Sequence, residues 1–155
     1  MSEADPVLRR GALSPVFLLV AIVLMVALHA LLPAVQLVSY RWRLLGAVPV
    51  VAGLTLNIWA DALFKRAGTT VKPFEQSTTL LVAGPFALTR NPMYLGMVLV
   101  LSGIAVGLGS VTPWLVVPLF VWQVSGRFMA VEERMLESAF GPTYLEYKSK
   151  VRRWL

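Results

Sequence analysis

Four apolar blocks, each close to the length that crosses a bilayer, constrain this chain more than any other feature. They cover residues 15–32, 44–64, 93–109 and 114–129. A helix needs roughly 20 predominantly apolar residues to span the hydrocarbon core. In that core a helix is favoured because it satisfies its own backbone N–H and C=O groups. The expectation is an all-α integral membrane protein with about four transmembrane helices. Composition agrees: 57% of the 155 residues are hydrophobic and 14% are charged, against roughly 45–50% and 25% in soluble domains. The length leaves room for one membrane domain over 1–155. Within it, 1–14 is a polar tail, 15–64 holds helices 1 and 2, and 65–155 forms the functional core.

The net charge of +6 does not point to nucleic acid, because the basic residues form no aromatic-interleaved patch. They flank the apolar blocks, where juxtamembrane Lys and Arg belong. Four spans put both termini and the loop 67–92 on one side of the bilayer. Only Arg41 and Arg43 fall on the other side, which leaves twelve of the fourteen Lys and Arg residues with the termini. The positive-inside rule makes that side cytoplasmic, so the expected location is the inner (cell) membrane, multi-pass, with both termini in the cytoplasm. Arg9 and Arg10 precede the first block, but it runs on to Leu32 without a small-x-small cleavage site, unlike a signal peptide. The absence of cysteine excludes disulfides, thiolate metal sites and a cysteine nucleophile, and no metal site is expected.

Along the chain, Pro33 should stop the first helix. His29, alone near a boundary, reads more readily as an interfacial side chain than as a ligand. Tyr40 and Trp42 are candidate interface anchors. Asn57 and Asp61 share a helix face, and Asp61 either faces a cavity or pairs with Lys65 at the boundary. The stretch 67–92 is long for a loop, and its β-branched and apolar residues argue against disorder. It is read as an ordered cap between helices 2 and 3. Gly96, Gly103 and Gly107, with Ser102 nearby, should let another helix approach closely. The turn at Ser110, Thr112 and Pro113 should fold spans three and four into an antiparallel hairpin. The fourth helix should continue past the membrane to Gly141-Pro142. A short amphipathic helix over 143–151, with a basic, Trp-tipped end, is expected on the headgroups.

The hairpin would bring Asn91-Pro92-Met93-Tyr94 beside Arg127 and Glu132-Glu133. Pro92 suits a first helical turn and Asn91 is a good N-cap. The first-turn N–H groups and Arg90 could seat an anionic group, the carboxylates a cation, and the apolar residues form walls. S-adenosylmethionine, with a carboxylate, an ammonium and a sulfonium, has matching chemistry. Methyl transfer from it requires alignment and desolvation rather than a metal. The same residues also fit a plainer reading, a capped helix with a boundary arginine and a solvated acidic face at Glu132, Glu133 and Glu137. On spacing alone that reading weighs more.

Three motifs occur in order: Gly68-Thr69-Thr70-Val71-x-Pro73; Gly84-Pro85-Phe86-x-x-x-Arg90-Asn91-Pro92-Met93-Tyr94-Leu95-Gly96; and Glu132-Glu133-x-x-Leu136-x-x-x-Phe140-Gly141-x-x-Tyr144-x-x-Tyr147. Over roughly 65–155 the chain resembles the isoprenylcysteine carboxyl methyltransferase family, in its bacterial-type form, related to the membrane phospholipid methyltransferases. The resemblance implies an enzyme that takes S-adenosylmethionine from the cytosol and methylates a lipidic or small hydrophobic acceptor, a carboxylate or an amine. It implies that Thr78, Thr79, Leu80, Leu81 and Phe86 line the cofactor from the cap. Asn91, Pro92, Met93 and Tyr94 would cradle it, together with Arg90 and Glu133. Glu132 would hold its cationic part, and Arg127 would position an acceptor carboxylate. Asn91 stands where eukaryotic relatives commonly have His, and Phe86 where they have Tyr; Asn91 cannot titrate near neutrality. Two other readings are a nicotinamide-dependent membrane sterol- or lipid-type reductase and a non-enzymatic helical scaffold. Against the reductase, the chain has no glycine-rich dinucleotide fingerprint.

Overall fold

The computed structural model describes residues 14–32, 34–67 and 80–155. Among them the chain is helical, with only an isolated antiparallel bridge between Gln36 and Ser110. Helix α1 is Ser14–Leu31, α2 is Ala47–Arg66 and α3 is Pro92–Leu108. Then come α4 (Val116–Val124), α5 (Ala130–Phe140) and α6 (Pro142–Lys150). Tight turns at Tyr40–Gly46 and Thr112–Leu115 lead into α2 and α4. The breaks follow local chemistry. Gly109 (φ 82°) and Gly141 (φ 49°) hold positive φ where α3 and α5 end, a region that glycine enters without the Cβ penalty. Pro92 and Pro142 then open α3 and α6, where a missing N–H costs no helical bond.

Two continuous helical runs are long and apolar enough to cross a membrane: Tyr40–Arg66, of 27 residues, and Thr112–Phe140, of 29. The apolar helices Pro15–Leu31 and Pro92–Leu108 are shorter. Large hydrophobic side chains cover the outer faces, including Leu19, Val23, Val48, Val51, Ile58, Leu115 and Trp122. Such a surface is costly in water and suited to an apolar surround. The buried core lies where α1, α3 and α4 meet, around Met25, Leu101, Val124 and Met129. Pro33, the residues before 14, and 68–79 of the expected cap lie outside the described residues.

The small-residue stripe of α3 does admit a neighbour, and that neighbour is α2 rather than the hairpin partner. Gly46 opposes Gly103, and Gly53 opposes Gly96, in an antiparallel register. A Cβ at Gly96 would lie 2.7 Å from the Gly53 carbonyl oxygen and 2.6 Å from Asn57 Nδ2. Asn57 is thus spent on helix packing. Asp61 pairs with Lys65 one turn on, the boundary alternative. Gly107 joins the contact through its backbone alone: its nitrogen lies 2.9 Å from where a Cβ at Gly46 would sit, while a Cβ at Gly107 itself would meet nothing within 4 Å among the described residues.

At the end of the molecule away from Tyr94, His29 Nδ1 lies 2.7 Å from the buried Ser110 hydroxyl. Thr112 donates to the Leu28 carbonyl at 3.3 Å. These bonds tie α1 to the turn before α4, so His29 is a structural polar contact. At the other end, α6 does not rest as a simple surface helix. Its Tyr144 and Tyr147 are buried, and Trp154 beyond it packs against the core. The paired tyrosines give α6 an inward face that its basic surface residues conceal in sequence.

Candidate functional site

The turn Gly84–Ala87 is fixed from two sides. Phe86, 7% exposed, meets Phe64 of α2 edge-on with ring centroids 5.4 Å apart. Tyr147 of α6 donates its hydroxyl to the Phe86 carbonyl at 2.6 Å. Burial pushes the Tyr147 phenol up to about 12, above the roughly 10 of an unfolded chain. The folded state therefore holds this proton more tightly. The stability it contributes is intact below about pH 10 and is lost as pH rises toward 12. Tyr147→Phe leaves a buried carbonyl without its donor, at a cost of about 1–3 kcal/mol. A lower midpoint in chemical unfolding, with a flattened alkaline limb between pH 10 and 12, is the expected outcome. An unchanged limb would show that the phenol does not carry this dependence.

Tyr94 sits in the first turns of α3, after the Pro92 opening, and is 5% exposed. Its hydroxyl donates to Glu132 Oε1 of α5 at 2.7 Å, across 38 positions of sequence. Beneath this pair lies the Phe128 ring, 6.3 Å from Tyr94 and 5.4 Å from Phe17 of α1. Tyr94 and Glu132, far apart in sequence, are thus hydrogen-bond neighbours.

Neighbours on an α-helix diverge by about 100°, so Glu132 and Glu133 face different partners. Glu133 accepts from Arg153 Nε at 2.8 Å and Nη2 at 2.6 Å. Arg90 Nη1 lies 3.2 Å from Oε1, the oxygen that accepts from Arg153 Nε. The hydrogen bond to Glu133 holds the Arg153 guanidinium above its ordinary range. Glu132 has as its described polar partner only the neutral Tyr94 hydroxyl. Glu133 is therefore charge-compensated in place, whereas Glu132 has no cation partner among the described residues. Arg90, expected as a cation at the edge, is committed to Glu133. Its guanidinium also lies against the buried Tyr144 hydroxyl, although neither Arg90 Nε nor Nη1 makes an aligned hydrogen bond among the described residues.

Of the other expected residues, Pro92 is buried and Leu80, Leu81 and Met93 are partly buried. Thr78 and Thr79 lie outside the described residues. Asn91 occupies the N-cap position, but its side chain makes no capping bond. Its amide Nδ2 instead donates to the Arg153 carbonyl at 3.2 Å, because the chain end folds back over the start of α3. Arg127 is exposed, in a π turn over Ser125–Met129. It makes no hydrogen bond or ion pair among the described residues. The π turn was not foreseen, although Ser125-Gly126 is the kind of pair at which helices deform, and π turns recur at functional sites. Arg153, Thr89 and Tyr144 were also not foreseen as site residues. Only Tyr144 had a sequence signal, through its spacing to Tyr147.

The sequence profile described as phospholipid methyltransferase matches residues 42–143. A Haemophilus influenzae protein described as uncharacterized is 44% identical over 63 residues, 41% of this chain and the whole of that protein. The protein-S-isoprenylcysteine O-methyltransferase of Schizosaccharomyces pombe is 32% identical over 72 residues. That match spans 46% of this chain and 30% of the yeast enzyme.

Proposed function

The chain belongs to the phospholipid methyltransferase family, and from that membership we propose an S-adenosylmethionine-dependent membrane enzyme. It methylates a lipidic or small hydrophobic acceptor, an isoprenylcysteine-like carboxylate or an amine. The observation that carries this reading is the Tyr94–Glu132 bond, which joins the starts of α3 and α5 around a carboxylate without a cation partner among the described residues. The donor set suits a zwitterion with an added positive centre. Glu132 offers a negative charge, and the Arg90 guanidinium, shared between Glu133 and the Tyr144 hydroxyl, lends positive potential at the same end. When bound, the cofactor supplies an electrophilic methyl group on a sulfonium.

In this proposal Glu132 attracts the cationic part of the ligand and the Tyr94 hydroxyl fixes the carboxylate's direction. Phe86, Leu80, Leu81, Pro92 and Met93 exclude water, which strengthens that attraction. Thr78 and Thr79 complete the wall from the cap, with Asn91 at the helix entry and Glu133 held as the structural acid. A carboxylate acceptor is already nucleophilic and needs orientation, for which the exposed Arg127 is available. An amine acceptor has a proton to lose, and Glu132 is the group to take it. We also propose that all four apolar helices span the inner membrane, with 65–155 as the cofactor core. The site and both termini then face the cytoplasm, where the basic residues concentrate.

A reductase using a phosphorylated nicotinamide would want free cations, whereas Arg90 and Arg153 here share one carboxylate. S-adenosylhomocysteine is expected to raise the melting temperature of the purified protein in nanodiscs, and NADPH to leave it unchanged. A shift with NADPH alone would overturn the methyltransferase proposal.

A further inference from the structure

The segment after α6 makes a dense set of contacts to the start of α3. The Arg90 N–H donates to the Arg152 carbonyl at 3.0 Å. The Thr89 hydroxyl and the Asn91 amide donate to the Arg153 carbonyl at 3.0 and 3.2 Å. The Arg153 side chain grips Glu133 of α5 through both carboxylate oxygens, and Trp154 packs against the core. One short piece of chain thus holds residues 89–91 and the first turn of α5 together. The match to the family profile ends at residue 143, before this piece begins.

We infer that residues 151–154 form a strap that sets the Tyr94–Glu132 geometry, with Arg153 as a positioning residue acting through Glu133. The spacing makes the coupling short. Tyr94 is three residues beyond Asn91, and Glu132 directly precedes Glu133. The strap's backbone carbonyls locate the start of α3, while the planar Arg153 fork fixes the angle of α5, as a bidentate guanidinium–carboxylate pair does. Charge points the same way. Glu133 carries a side-chain exposure of only 8%, and a buried acid that loses one of two cations must reorganise or take up water. Either response moves the neighbouring Glu132.

This inference rests on the proposed cofactor site for its functional consequence, yet its structural half can be measured without ligand. The test uses the full chain in nanodiscs, comparing wild type with Arg153→Ala, Arg153→Lys, Glu133→Gln and the double variant Arg153→Ala/Glu133→Gln. Hydrogen exchange in peptides covering 89–95 is expected to quicken about tenfold in Arg153→Ala, and S-adenosylhomocysteine affinity to fall about tenfold, in line with cutting a charge-assisted pair. Arg153→Lys keeps the charge without the fork and should recover part of both. The double variant should be no worse than its worse single variant, since both changes break one link. Unchanged exchange at 89–95 in both Arg153 variants overturns the strap. Quickened exchange with affinity within about twofold of wild type, or additive losses in the double variant, overturns the positioning role. If the wild type binds no S-adenosylhomocysteine, the methyltransferase proposal falls, and the exchange comparison alone decides the strap. Should Arg153→Ala fail to fold, Arg153→Lys carries the same comparison.

Discussion

Glu132→Gln is expected to weaken S-adenosylhomocysteine binding at least about tenfold and to abolish most methyl transfer. The amide keeps the size of the carboxylate and can still accept the Tyr94 hydrogen bond, so packing survives while the charge disappears. A contact to a charged group is worth about 1.5–3 kcal/mol, which is roughly a ten- to hundredfold change in affinity. Titration calorimetry in nanodiscs measures it directly. The methyl donor and its product differ at the sulfonium but share the ammonium. A larger loss for S-adenosylmethionine than for S-adenosylhomocysteine would put the carboxylate against the sulfonium, and equal losses would put it against the ammonium. Tyr94→Phe, which keeps the charge and removes its orientation, should cost less than Glu132→Gln. Wild-type affinity in Glu132→Gln would remove the cation-holding role.

A second large effect is expected where α2 and α3 touch. Gly96→Val has no room: even its Cβ would sit 2.6 Å from Asn57 Nδ2 and 2.7 Å from the Gly53 carbonyl. At Gly103 a Cβ would meet the Val50 backbone nitrogen at 2.9 Å. Backbone atoms cannot swing aside as a side chain would, so the helices must separate along their whole contact. Overpacking a core costs about 1–3 kcal/mol and sometimes more. Helices in lipid depend on such close packing because burial of apolar surface no longer drives them together. Gly96→Val and Gly103→Val should therefore lose the monodisperse, thermally cooperative species seen by size-exclusion chromatography and thermal scanning. Gly107→Ala serves as the control: its Cβ meets nothing within 4 Å among the described residues, and alanine is the better helix former by about 1 kcal/mol. Its melting temperature should stay level or rise. A Gly96→Val protein that melts like wild type would mean that the α2–α3 contact does not hold the fold.

Hydropathy and a few punctuating residues were enough to locate the helices. Pro92 and Pro142 open helices and Gly109 and Gly141 close them because these residues act on their own backbone, within a turn of where they stand. The α3–α4 hairpin likewise returns the chain to the same end, which puts Tyr94 beside Glu132. Partner choice was not legible. The α3 glycines announced a close neighbour without saying that Gly46 and Gly53 would supply it. Two adjacent glutamates looked alike in sequence. Only the approach of Arg153, twenty positions away, made Glu133 a neutralised clamp and left Glu132 with a neutral partner. Helix formation and apolarity are set by residues close in sequence, so the chain alone determined them. Pairing depends on distances between residues far apart in sequence, and those exist only once the helices have packed.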